Sequence, residues 1–294
     1  MSIHKTFLKA LKPYRLISLV MTYLLGAGLV QYIRQLRSWP DLILGAVFIV
    51  LVALSLELLK LLREFINPKN WPEEVTLNDV RQMRLIIGLV TATLVTVAIS
   101  ILIGWMLADV IWQGLLLLML ALAFLGGGYY YANFTEKLRP YQLLLEVFIF
   151  VVLPPAFAFF LQSEDHHQFL TLVVICLVPA YLAYRILIQL KYFGRDHKLG
   201  VRTFVMRVGW SNAMTFHNAF ILLTYLLFAL ITFFGFPWFL LWPVFLTLPI
   251  GLLEIWLVER ARRGGNPLWR IMQFATASVM LLPIYMVGFN FWIR

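Results

Sequence analysis

Between Tyr192 and Gly209 the chain reads YFGRDHKLGVRTFVMRVG, which sets Arg195, His197, Lys198, Arg202 and Arg207 around a single carboxylate, Asp196. Guanidinium and ammonium groups at this density suit a phosphate or another anionic head group, which arginine can hold through two parallel N–H bonds without a metal. They equally suit a plainer task, anchoring a loop beside an anionic lipid leaflet. A second charged set, Glu57, Lys60 and Glu64, falls on one helical face near the end of a long apolar run. Charges at membrane depth face the bundle interior and pair. The set therefore reads as an ion cluster that satisfies itself, as a fixed ammonium for a phosphate, or as a Lys60 that snorkels to the surface. Arg185 poses the same question and reads as a bundle-paired or snorkelling arginine. Glu254 and Glu259, beside Arg260, Arg262 and Arg263, read as a solvated helix end, and His217 and Asn290 as satisfied core groups.

The elements that must position these residues are membrane helices. Of 294 residues, 62% are hydrophobic and 13% charged, and the mean hydropathy is +0.86, far from a soluble domain. A helix crosses a bilayer with about 20 apolar residues. Runs of that kind occur at 16–33, 42–62, 85–107, 111–131, 143–161, 169–190, 217–234, 238–257 and 268–292, so an all-α, polytopic bundle of about nine transmembrane helices is expected, as one membrane domain over residues 1–294. The joins at Asp109 and at Gly235-Phe236-Pro237 must be turns between helices rather than kinks. The first run is long and lacks a small-residue cleavage site, so it is read as a retained helix rather than a signal peptide.

Charge placement supports this count. With the N-terminus inside, 21 of the 24 Lys and Arg fall on the cytoplasmic side, leaving Arg34, Arg37 and Arg294 outside, as the positive-inside rule requires. The expected location is the cytoplasmic (inner) membrane, with the C-terminus outside. Basic loops against anionic lipid account for the net charge of +10, and no nucleic-acid partner is expected. The lone Cys176 excludes an internal disulfide or a cysteine metal cluster and reads as packing. His166 and His167, between Asp165 and Gln168, read as a surface loop rather than a metal site. Gly126 to Gly128 and Tyr129 to Tyr131 read as helix packing and an interfacial belt.

Taken with the helix count, GRDHKLGVRTFVMRVG resembles the second motif of the UbiA superfamily of membrane prenyltransferases, roughly D-x-x-x-D-x-x-x-G-x-x-T-x-x-x-R-x-G. Asp196, Gly200, Thr203, Arg207 and Gly209 stand at the motif's spacing. KPYRLISLVMTYLLGAGL is similar to the family's first helix, and YYYANFTEKLRPYQLLLEVFIF, with Tyr131, Lys137 and Glu146, to its connection between the fourth and fifth helices. The resemblance implies a UbiA-like helical bundle in which two aspartate-rich motifs hold Mg2+, the metal binds a prenyl diphosphate, and an acceptor captures the allylic cation.

The sequence departs from that pattern at the carboxylates. Tyr192 occupies the first aspartate position of the second motif, and SLELLKLLREFINPKNWPEE offers no register with the aspartates of the first. The expectation is therefore a family protein that binds an isoprenoid, quinone, pigment or lipid without ordinary catalysis, or that serves as a subunit with other membrane proteins. Lys60, Arg195, Lys198 and Arg202 are the expected phosphate or anionic-lipid ligands. The alternative is an active, divergent prenyltransferase in which Asp196, Glu57 and Glu64 form a thin Mg2+ site. A transporter is a third class, for which internal repeats with broken helices would be the sign; no convincing repeat is present.

Overall fold

The structure, a computed structural model, describes residues 13–66, 77–107, 141–163, 165–198, 200 and 202–294. The described residues are helical, with no strands: α1 (Pro13–Tyr32), α2 (Trp39–Ile66), α3 (Leu77–Leu107), α4 (Gln142–Phe160), α5 (Gln168–Lys198), α6 (Phe204–Val208), α7 (Trp210–Phe234), α8 (Trp238–Arg262) and α9 (Trp269–Ile293). Seven of these, α2 to α5 and α7 to α9, are long and apolar enough to span a membrane, and α1 supplies a shorter apolar stretch, Leu16–Tyr32. The protein is an integral membrane protein. The expected span at 111–131, the join at Asp109 and the glycine and tyrosine triplets at 126–131 lie outside the described residues.

Several expected boundaries move; α3, for one, starts at Leu77 rather than at Leu85. α5 continues past Leu190 to Lys198, and α7 starts at Trp210 rather than at His217, so most of the supposed long loop between them is helix. Hydropathy ends where the polar turns begin, whereas the backbone ladder continues because helix formation does not depend on apolar side chains. The turn at Gly235-Phe236-Pro237 separates α7 and α8 as expected: Gly235 closes α7 at a φ of 83° and Pro237 precedes the first residue of α8.

α4 has an internal dislocation written into its sequence. Pro154 and Pro155 carry no N–H and so cannot bond the carbonyls of Phe150 and Val151 four residues earlier. The helix responds with a π segment over Phe148–Val152, in which the Leu153 N–H reaches the Phe148 carbonyl. The Phe150 carbonyl instead accepts a bond from the Thr22 hydroxyl of α1 at 3.2 Å. α1 lies close against this region. A Cβ on Gly26 would stand 2.2 Å from the Pro155 carbonyl oxygen, so only a residue without a side chain permits the approach.

The core runs between α1, α2, α4, α5, α7 and α9, with Tyr23, Phe159, Phe228 and Phe291 fully enclosed and Cys176 packed among them. At one end, amides and indoles tie the helices together. Gln162 accepts from the Arg37 and Ser38 N–H groups at 3.1 and 2.9 Å and donates to the Ser38 carbonyl. Trp292 Nε1 donates to the Leu24 carbonyl at 3.0 Å, and Asn290 to the Leu240 carbonyl at 3.1 Å, so Asn290 is the satisfied core group expected. Nearby, His166 Nε2 meets Thr171 and His167 Nδ1 accepts from the Phe169 N–H. The opposite end carries the 192–209 segment.

Candidate head-group site at the loop-bearing end

The site is built on the last two turns of α5. Asp196 is 6% exposed and faces inward, while Tyr192 and Arg195 face outward. One helical turn separates these two, so the Arg195 guanidinium lies over the Tyr192 ring at 4.5 Å, a cation–π contact. The same group stands 3.4 Å from Asp196 Oδ1. Tyr192 thus seats a cation beside the Asp196 carboxylate. Lys198 and Arg202 are exposed. On the inner side, Lys191 donates to Gln273 of α9 at 2.8 Å, and Phe193 packs edge-on to Trp210 of α7.

The rest of the motif builds the turn that follows. Gly200 and Gly209 adopt φ of 66° and 85°, the left-handed side that residues with a Cβ rarely enter. Between them Thr203, in extended conformation, caps α6 by accepting the Met206 N–H on its hydroxyl at 3.3 Å. Val205 is buried, and its N–H donates to Gln189 of α5 at 3.2 Å. Arg207 donates to the Tyr141 hydroxyl at 2.9 Å, tying α6 to the start of α4. Gly200, Thr203, Arg207 and Gly209 therefore all shape the turn that follows Asp196.

Glu57 is buried on α2. Lys60 and Glu64 belong to the same helix, but their side chains lie outside the described residues. Asp196 and Arg195 are brought into contact; Lys198 and Arg202 are exposed at the same end of the bundle. Among the described residues, no three His, Cys, Asp or Glu side chains come together as a metal would require.

Two features were only half legible. Arg185 of α5 is paired within the bundle: its Nη2 donates to Glu146 Oε1 at 2.7 Å, its Nε to Oε2, and the Gln142 amide reaches Glu146 as well. The reading of Glu254 as part of a solvated helix end is wrong. Glu254 is 0% exposed and stands between His217 of α7, at 3.0 Å, and the Thr276 hydroxyl of α9. Glu259 alone is at the surface, with Arg262 and Arg263. The signal was available: five residues turn a helix by about 140° beyond a full circle, so Glu254 and Glu259 cannot share a face.

No protein-family model matches the sequence, and no curated protein sequence does. Solved structures do match in three dimensions. A UbiA homolog from Archaeoglobus fulgidus bound to DMAPP and Mg2+ superposes with a TM-score of 0.65 at 12% identity, over 98% of this chain and 99% of that one. Digeranylgeranylglyceryl phosphate synthase gives 0.61 at 12% identity, over 100% and 98%. The apo UbiA homolog from Aeropyrum pernix K1 gives 0.57 at 13%, over 92% and 96%. The helix arrangement agrees with these proteins over 92% or more of the chain, and this polypeptide has the UbiA fold.

Proposed function

We propose that this protein binds the anionic head of an isoprenoid or another lipid at the loop-bearing end of the bundle, held by Arg195, Lys198 and Arg202, and by Lys60 of α2, without ordinary Mg2+-dependent prenyl transfer. The loop-bearing end faces the cytoplasm. The observation that carries this reading is the Tyr192–Arg195–Asp196 arrangement: a guanidinium rests on an aromatic ring beside the one remaining carboxylate. Mg2+ sites in this setting use carboxylates together with the substrate phosphates. A carboxylate already facing a guanidinium is a weak competitor for the metal, whereas the guanidinium itself suits a phosphate. The fold supports the ligand class, since the A. fulgidus homolog holds DMAPP or GPP with Mg2+.

The test is lipid extraction and mass spectrometry on the purified protein, paired with binding of a prenyl diphosphate analogue without metal. Charge-assisted hydrogen bonds contribute about 1.5 to 3 kcal/mol each. The double substitution Arg195→Ala with Arg202→Ala should therefore weaken binding roughly a hundredfold or more. Unchanged affinity and unchanged co-purified lipid would reduce these residues to topology anchors and favour a structural subunit.

A second reading, an active divergent prenyltransferase, draws on the burial of Glu57 and Asp196, as carboxylates of a working site would be. Incubation with prenyl diphosphates and aromatic or lipid acceptors decides it: product formation that requires Mg2+ and Asp196 would establish the enzyme.

A further inference from the structure

His217, Glu254 and Thr276 form a polar junction inside the bundle, about two turns from the loop-bearing ends of α7, α8 and α9. The His217 and Glu254 side chains are both 0% exposed. His217 Nδ1 lies 2.9 Å from the Ala183 carbonyl of α5. A carbonyl only accepts, so Nδ1 carries a hydrogen. Nε2 then faces Glu254 Oε1 at 3.0 Å, close enough for an ion pair though without the alignment of a hydrogen bond. The Thr276 hydroxyl has one hydrogen and two acceptors in reach, Glu254 Oε1 and the Met272 carbonyl. Glu254 Oε2 is buried with no hydrogen-bond partner.

These contacts constrain the charge. With neutral His217 and ionised Glu254, a nitrogen lone pair would face an anionic oxygen and a net negative charge would sit in the bundle, a costly arrangement. One further proton, on Nε2 or on the carboxyl, makes the pair neutral. We propose that His217 and Glu254 form a buried proton-binding site that links the packing of α5, α7, α8 and α9 to pH. Tyr225 of α7 lies near Glu254, Cys176, Tyr181 and Tyr184 of α5 are buried, Asp196 of α5 faces Arg195, and the remaining titratable groups on these helices are paired or exposed. Arg185 of α5 is held by Glu146, and Lys191 by Gln273 of α9. The Tyr225 hydroxyl of α7 is bonded to Thr247 of α8, Glu259 of α8 faces Arg262 and Arg263, and Arg270 of α9 is exposed. The proposal does not rest on the head-group reading.

Proton counting gives the sign. Unfolded, glutamate and histidine titrate near about 4.3 and 6.5. Between these values the unfolded pair carries the same number of protons as the folded pair, so stability is flat. Above about 6.5 the unfolded chain holds one proton fewer, and the folding equilibrium falls roughly tenfold per pH unit until the folded pair itself titrates; below about 4.3 it falls in the same way because the unfolded chain holds one more.

The experiment uses the full chain in detergent with 15N-labelled histidine, the His217 signal being assigned by its loss in His217→Gln. Its shift should stay constant from about pH 5 to 8, where an ordinary histidine would titrate near 6.5. Denaturant unfolding is then compared between wild type and Glu254→Gln. The variant has no proton to retain above pH ~6.5, so the roughly tenfold-per-unit alkaline loss should disappear. A His217 signal that titrates near ~6.5 overturns the proposal, as do parallel alkaline profiles for the two proteins. If Glu254→Gln does not fold, the wild-type unfolding profile decides: stability that stays flat above pH ~6.5 overturns the proposal.

Discussion

Arg185 meets Glu146 across the α4–α5 interface through both carboxylate oxygens, with Arg185 almost wholly and Glu146 wholly enclosed. An ion pair at this depth can be neutral in sum, yet losing one partner leaves the other charged and unsolvated. Arg185→Met or Glu146→Leu alone should cost about 3 to 5 kcal/mol, and the double substitution much less. Unfolding of the three variants in detergent checks this; additive losses would show that the pair is not coupled.

The contact of α1 with α4 depends on Gly26. Gly26→Ala should push the helices apart and cost about 1 to 3 kcal/mol, as overpacking does. Gly288→Ala is the control, because its new Cβ would meet nothing nearer than 3.6 Å. Thermal melting of both variants should show a drop for the first and little change for the second.

Calorimetry with a prenyl diphosphate analogue should show heat of binding that changes little when Mg2+ is added. Asp196→Ala should leave that binding intact or strengthen it, since Arg195 loses its carboxylate neighbour. Tight binding that appears only with Mg2+ and vanishes in Asp196→Ala would restore the enzyme reading.

A reporter fused after Arg294 should be active only outside the cytoplasm. Arg34, Arg37 and Arg294 lie at the end stapled by Gln162 and Trp292, away from the basic 192–209 segment. Cytoplasmic activity of the fusion would reverse the assignment of the two ends.

Hydropathy found each described membrane helix because bilayer solubility leaves a long apolar record, but it ended α5 at Leu190, eight residues short of Lys198. Motif spacing located the 192–209 segment without revealing that Thr203 is a cap and Arg207 a tie to Tyr141. Those tasks are tertiary. Arg185 could be recognised as needing a partner, and only the packing of α4 on α5 names Glu146. Glu254 was misplaced because neighbouring arginines suggested solvent, while its own helical face pointed to Thr276.

The π segment of α4 also sets a phase. In a regular helix each residue advances by about 100°, so the one-residue surplus in Phe148–Val152 rotates everything before it relative to everything after. Glu146 can thereby address Arg185 while Pro155 addresses Gly26. Deleting a single residue from this stretch would keep the composition and nearly the length of α4, yet leave its two halves out of step, with either the ion pair or the α1 contact aimed at the wrong neighbour. An alignment that places a gap here by hydropathy alone will misassign one of the two halves.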